Sequence, residues 1–314
     1  MRLLNFLLSG PVFGVLTLFL SVLWMLRDQK DKNRPILVFA LVLNLFYGYL
    51  FNTLMGREGS LFQWRFDYVL FHMDASLGIP SASIARPLQG ILHAPLVFVY
   101  QMMVPMMIVW LLVTQYKRIR GSVVLAYVAE LVIGPLIYAI LPACGPIYAF
   151  GGQWLHPAAV SAQAIRLPGF PNAFPSLHVG TAFVLLLFAP GRVWKGVALL
   201  FFAGTCLAIF ATGEHYVIDL IPGLAFGAFA AAIGMQKHLR AATYLALTLA
   251  WSLSVRFASS ILIALPIVTR IFATLTVALA GFALWMSWTE LATPADEPVT
   301  PASGSREPER SATA

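Results

Sequence analysis

The stretch Tyr216-Val217-Ile218-Asp219-Leu220-Ile221-Pro222-Gly223-Leu224-Ala225-Phe226-Gly227-Ala228-Phe229-Ala230-Ala231-Ala232-Ile233-Gly234-Met235 decides the fold. It is long and apolar enough to cross a bilayer as one helix, since about 20 mainly apolar residues cover the hydrocarbon core. Its single charged residue is Asp219. A carboxylate is costly inside lipid, so its presence there suggests function by default. Gly213-Glu214-His215 leads directly into this stretch, and a second polar entry into an apolar run, Pro175-Ser176-Leu177-His178, lies upstream.

Working outward, the whole chain shares this character. Of 314 residues, 60% are hydrophobic and only 11% charged, with mean hydropathy +0.82. Soluble domains carry about 25% charged residues. The composition therefore predicts an integral, multi-pass membrane protein with an all-α fold, a polytopic bundle of about nine transmembrane helices. Candidate spans cover 4–26, 36–55, 94–115, 121–142, 174–190, 194–211, 216–235, 241–263 and 267–288. The organisation read from them is an N-terminal helical part (1–56), a catalytic membrane region holding both histidine segments (57–235), C-terminal helices (236–290) and a disordered tail (291–314). That tail is too poor in apolar residues to order itself. The N-terminal run lacks a small-residue cleavage site and reads as a first span.

The net charge of +7 does not point to nucleic acid, because the positives fall in short loops between helices. Lys and Arg in such loops report orientation. One side of the alternation gathers the clusters at 27–34, 117–120, 192–195, 237–240 and 306–310. The other holds Arg2, Arg57, Arg65, Arg86, Arg166 and Arg256. The richer side is expected to be cytoplasmic. On that topology the spans beginning near Pro175 and Tyr216 both descend from the outer face, so His178 and His215 lie at the same depth on the non-cytoplasmic side. Cys144 and Cys206 show neither metal-ligand spacing nor a disulfide framework.

His215 and Asp219 are four apart and share a helix face. A carboxylate there can accept the proton of one imidazole nitrogen and leave the other free to attack. His178 can protonate a leaving oxygen and then activate an acceptor. Ser176 and the free N–H groups of a helix start attract phosphate, and Pro175 suits the first turn of that helix. Together these groups describe phosphoryl transfer through a phosphohistidine, with no obligatory metal and no cofactor. Haem ligation by the two histidines ranks low, since Asp219 would then have no evident role. A metal held by His178, His215 and Asp219 lacks an obvious fourth ligand. Tyr148 and Tyr216 are candidate donors to phosphate. Glu130, an intramembrane carboxylate, reads as a buried structural partner.

At these residues the chain resembles the type 2 phosphatidic acid phosphatase superfamily, whose signatures are Pro-Ser-Gly-His and a later Ser-Arg-x5-His-x3-Asp. Pro175, Ser176 and His178 match the first, with Leu177 in place of glycine. His215 and Asp219 match the end of the second, while Ala208-Ile209 stand where Ser-Arg is expected. Arg86-Pro87 matches only the end of the superfamily's upstream Lys-x6-Arg-Pro element. The variant Pro-Ser-Leu-His with His-Tyr-x-x-Asp, together with Leu141-Pro142-Ala143-Cys144-Gly145-Pro146-Ile147-Tyr148, resembles the inositol phosphorylceramide synthase branch, as do Asp67 and Asp74. The resemblance implies a six-helix core and transfer of an inositol phosphate-like headgroup from a phospholipid donor to a lipid alcohol acceptor in sphingolipid metabolism. It implies His215 as nucleophile, Asp219 as its orienter and His178 as acid/base, and points to a bacterial inner membrane. With the phosphatase arginines absent, a singly charged phosphodiester fits better than a terminal monoester. Arg166 is the nearest replacement positive charge. A lipid phosphate or diphosphate phosphatase is the alternative enzyme, and a non-catalytic transporter or scaffold the alternative of another class.

Overall fold

The computed structural model describes residues 53, 55–117, 119 and 121–292. The expected span 4–26, nearly all of 36–55 and the tail from 293 onward lie outside the described residues. The described chain runs through β1 (Trp64–Arg65), α1 (Asp67–Leu77), α2 (Ser81–Leu88), α3 (His93–Gln101), α4 (Met103–Tyr116), α5 (Val123–Ile140), α6 (Pro146–Phe150), β2 (Ile165–Arg166), α7 (Leu177–Leu187), α8 (Gly191–Ala211), α9 (Val217–Gly234), α10 (His238–Ala264) and α11 (Pro266–Ala292). The fold is helical, as composition predicts. Its only strand pair among the described residues joins the two long connections, with Trp64 opposite Arg166 and Arg65 opposite Ile165.

Among the described residues, five helices are long and apolar enough to cross a membrane: α5, α8, α9, α10 and α11. The span expected at 94–115 is two helices, α3 and α4, bent by 51°. Pro105 lacks the N–H that would bond to Gln101, and its ring crowds that carbonyl, so the helix breaks at Met102. The span expected at 174–190 contains an 11-residue helix, α7. Eleven residues rise only about 16 Å. Ser176 caps its start, and Pro190 with Gly191 at φ +68° turns the chain into α8. Helix α7 is therefore a short core element, buried along nearly its whole length.

The centre of the bundle is α9. Of its apolar window 78% is buried, against 22% for α11. It packs on α7, α10, α5 and α11. Its contact with α7 depends on two glycines one turn apart. A Cβ on Gly223 would stand 2.7 Å from the Ser176 carbonyl oxygen, and one on Gly227 would stand 2.5 Å from that of Gly180. Small residues at this spacing let two helix backbones touch. That approach brings the start of α7 to the start of α9.

Two arginines that interrupt the last spans have partners. Arg256 donates from Nη1 to the Ile140 carbonyl at the end of α5. Arg270 donates from Nε to the Ser76 carbonyl at 3.0 Å, near the end of α1. Helix C-termini present unbonded carbonyls and partial negative charge, which suits a guanidinium.

Candidate active site

The two histidine segments converge. The rings of His178 and His215 lie 5.8 Å apart, edge to face. The backbone secures the pairing: Ser176 N–H donates to the Asp219 carbonyl at 3.1 Å. Ser176 is fully buried, and its Oγ accepts from Val179 N–H at 3.4 Å as the cap of α7. Pro175 stands before this cap rather than in the first helical turn, so the site's anion-attracting N–H groups are those of Leu177 and His178.

His215 is held from several directions. Its Nδ1 lies 2.8 Å from the Ala173 carbonyl. A carbonyl only accepts, so Nδ1 carries the proton and Nε2 keeps its lone pair. Nε2 faces Ser176 Oγ at 3.3 Å. Asp219 Oδ2 also approaches Nδ1, at 3.4 Å, but its shorter bond is from Tyr216 N–H at 2.8 Å. The tautomer expected from Asp219 is thus set first by a backbone carbonyl, which no side-chain pattern reveals. Burial pushes the His215 imidazole down to about 4, partly offset by Glu214 and the Ala173 carbonyl, so it stays neutral.

His178 is placed by stacking. The ring of Tyr100, at the end of α3 just before the bend, lies 4.3 Å from that of His178 with 25° between planes. Tyr100 carries no motif, and its part in the site emerges only from the fold. Glu130 accepts from Thr181 Oγ1 at 2.9 Å, next to the first turn of α7.

Two further carboxylates secure the start of α9 from outside. Asp74 accepts from Val217 N–H at 3.0 Å, Ile218 N–H at 2.9 Å and Ser81 N–H at 3.1 Å. It is a cap supplied by a distant helix. Asp67 accepts from Gly145 N–H at 2.7 Å, from Cys144 N–H at 3.1 Å and from Tyr216 Oη at 3.3 Å. Burial outweighs these donors and raises the Asp74 carboxyl to about 7 and the Asp67 carboxyl to about 6. Gly145, at φ +99°, is the only residue that fits here, because a Cβ would lie 2.1 Å from the Glu214 carbonyl oxygen.

The remaining candidates lie elsewhere. The Tyr216 ring is buried, and its hydroxyl turns to Asp67. Tyr148 donates to Glu214 Oε1 at 3.3 Å. Exposed Arg166 sits over the Trp64 ring at 5.2 Å, while buried Arg65 bonds the Cys144 thiol and the Gly169 carbonyl. Among the described residues, no group of three His, Cys, Asp or Glu side chains is arranged to hold a metal.

The sequence profile of the PAP2 superfamily matches residues 69–233, just over half of the chain. The chain belongs to the PAP2 superfamily. The match runs from α1 into α9, so both PAP2 histidine segments, Tyr100 and Asp74 fall inside it. Membership places its chemistry among lipid phosphatases and phosphotransferases. Comparison with curated proteins and with solved structures gives no match.

Proposed function

We propose that this chain moves a phosphoryl-linked headgroup, inositol phosphate-like by its resemblance to the sphingolipid synthase branch, from a phospholipid to a lipid alcohol on the non-cytoplasmic side of the membrane. The observation that carries the reading is the unprotonated Nε2 of a neutral His215, which meets the Ser176 hydroxyl at the capped start of α7, with His178 across from it. Nε2 attacks phosphorus while the bond to the diacylglycerol oxygen breaks; His178, neutral before substrate binds, takes up a proton when the anionic phosphate binds beside it and gives that proton to the leaving oxygen. The N–P bond holds the headgroup phosphate. His178 then takes the proton of the acceptor hydroxyl, the new O–P bond forms, and the N–P bond breaks. Asp219 stabilises the positive charge that the phosphorylated ring carries.

The transferase reading is favoured over hydrolysis by charge. Three of the arginines expected on the outer side have partners away from the histidines: Arg65 bonds Cys144 and Gly169, Arg86 the Leu155 carbonyl, and Arg166 lies over Trp64. Two imidazoles and a helix start suit one negative charge better than two. Purified protein incubated with labelled phospholipid, with and without a ceramide or diacylglycerol acceptor, tests this. Acceptor-dependent appearance of label in a new lipid is expected. Acceptor-independent release of water-soluble phosphate would instead identify a phosphatase, and no turnover would sink both.

A further inference from the structure

One ionisable group beside the histidines has no part in the mechanism above. Glu214 precedes His215 and interacts with it electrostatically. Gly145 backs onto the Glu214 backbone, and Ile147 N–H donates to the Gly213 carbonyl at 2.9 Å. These contacts bring Tyr148, 49% exposed, alongside, and its hydroxyl donates to Glu214 Oε1. Among the described residues no lysine or arginine pairs with Glu214. Burial raises its carboxyl above the ordinary range, as expected of a carboxylate short of donors. The half-buried Glu214 carboxylate also acts on Tyr100, whose ring stacks on His178, so it lies beside both histidines. A polar substituent on phosphorus can hydrogen-bond a carboxylate placed there, and a lipid tail cannot.

A carboxylate so placed has two consequences for whatever binds. It accepts hydrogen bonds, and it repels a second negative charge. We propose that Glu214, held by Tyr148, is the specificity-determining group of this site. It reads hydrogen-bond donors on the headgroup, either hydroxyls of a polyol or the N–H groups of a primary ammonium, and disfavours a terminal phosphate monoester. This rests on the phosphotransfer reading above and narrows its donor to a diester bearing O–H or N–H groups.

The test is a donor comparison with the purified full chain in detergent and a diacylglycerol acceptor whose acyl chains differ in length from the donor's, so that product and donor separate. The labelled donors are phosphatidylinositol, phosphatidylethanolamine, phosphatidylcholine and phosphatidate. Hydrogen bonds to a charged group are worth about 1.5–3 kcal/mol, so kcat/KM for at least one of the first two exceeds that for the last two by about tenfold or more. Whichever of the first two is preferred identifies a polyol or an ammonium. In Glu214→Gln and Glu214→Leu the ratio contracts to within about threefold. Because the readout is a ratio within each variant, a general loss of activity does not imitate it. Tyr148→Phe gives a third measurement, and the ratio falls there too. Turnover of phosphatidylcholine or phosphatidate as fast as the other donors overturns the assignment, as does an unchanged ratio in all three variants. No turnover of any donor by the unaltered protein overturns the phosphotransfer reading itself, and this assignment with it.

Discussion

The substitution Asp219→Asn separates two ways a carboxyl can serve a histidine. Where an aspartate alone fixes the tautomer, removal of its charge turns the ring over and activity falls about 10⁴-fold. Here the Ala173 carbonyl sits 2.8 Å from Nδ1 and keeps the proton there regardless. The amide oxygen of the substituted side chain can still accept from Tyr216 N–H as Oδ2 does now, so the start of α9 is preserved. What the substitution removes is charge. Unit charges 3.4 Å apart attract by about 5 kcal/mol at an effective dielectric near 20. A transition state with half the positive charge developed on the imidazole loses about half of that. The expected drop in kcat is therefore roughly 60-fold, and at most about 4,000-fold for full charge development. The assay is single-turnover formation of the phosphoenzyme from labelled phospholipid, with thermal unfolding as the control for folding. A loss of about 10⁴ or more in a folded variant would refute the claim that the carbonyl sets the tautomer. A loss below tenfold would refute a charge-stabilising Asp219.

The other predictions follow from the packing around the histidines. Tyr100→Phe keeps the ring stacked on His178 and should keep activity within about threefold, whereas Tyr100→Leu should lose about tenfold or more in kcat with little change in KM; equal effects of the two would refute a positioning role. Gly227→Ala puts a Cβ 2.5 Å from the Gly180 carbonyl and should destabilise by about 1–3 kcal/mol while lowering activity. Gly196→Ala, with nothing within 4 Å, should do neither, as read by thermal unfolding in detergent. Burial holds His215 down to about 4, so its neutral, attacking form persists as pH falls until that value is approached. The acid limb of kcat/KM assigned to His215 should then lie well below the ordinary imidazole value of about 6.5, and a limb at that ordinary value that disappears in a His215 variant would contradict this.

The polar-to-apolar junctions at Ser176 and His215 were legible because a bilayer leaves so few explanations for them. The sequence reading brought His178 and His215 together through a full span at 174–190; in the structure their rings stand 5.8 Å apart through the short helix α7 packed against α9. Length misleads at 174–190, where unbroken apolar sequence marks burial in protein as well as burial in lipid. Helix α7 is enclosed by its neighbours and needs no bilayer-spanning length. The spacing of Gly223 and Gly227 in α9 was a readable sign of that close packing. The kink at Pro105 was equally readable. Tyr100 and the Ala173 carbonyl were not, since one is an ordinary aromatic on an apolar helix and the other is backbone.

Asp67 and Asp74 mark the border between these cases. Their seven-residue spacing puts them on one face of α1, which sequence can tell. What they hold is the adjacent start of α2 and two distant pieces of chain, the Cys144–Gly145 turn and the start of α9. Each of these bonds ends on a backbone N–H, and a backbone N–H has no sequence signature. The arrangement nevertheless explains why the Pro142-Ala143-Cys144-Gly145 segment and the upstream aspartates accompany the histidine motif in one chain. The turn at Gly145 supports Glu214 from behind, and Asp67 fixes that turn and the Tyr216 hydroxyl together. Asp74 bonds the first two N–H groups of α9, directly after His215 and Tyr216. The position of the His215 imidazole is thus set by an external clamp as much as by the helix that follows it. A buried carboxylate that accepts three N–H groups has no neutral equivalent of the same shape. Asp74→Asn would turn an N–H toward donors that already point at it, displacing the start of α9 and His215 with it.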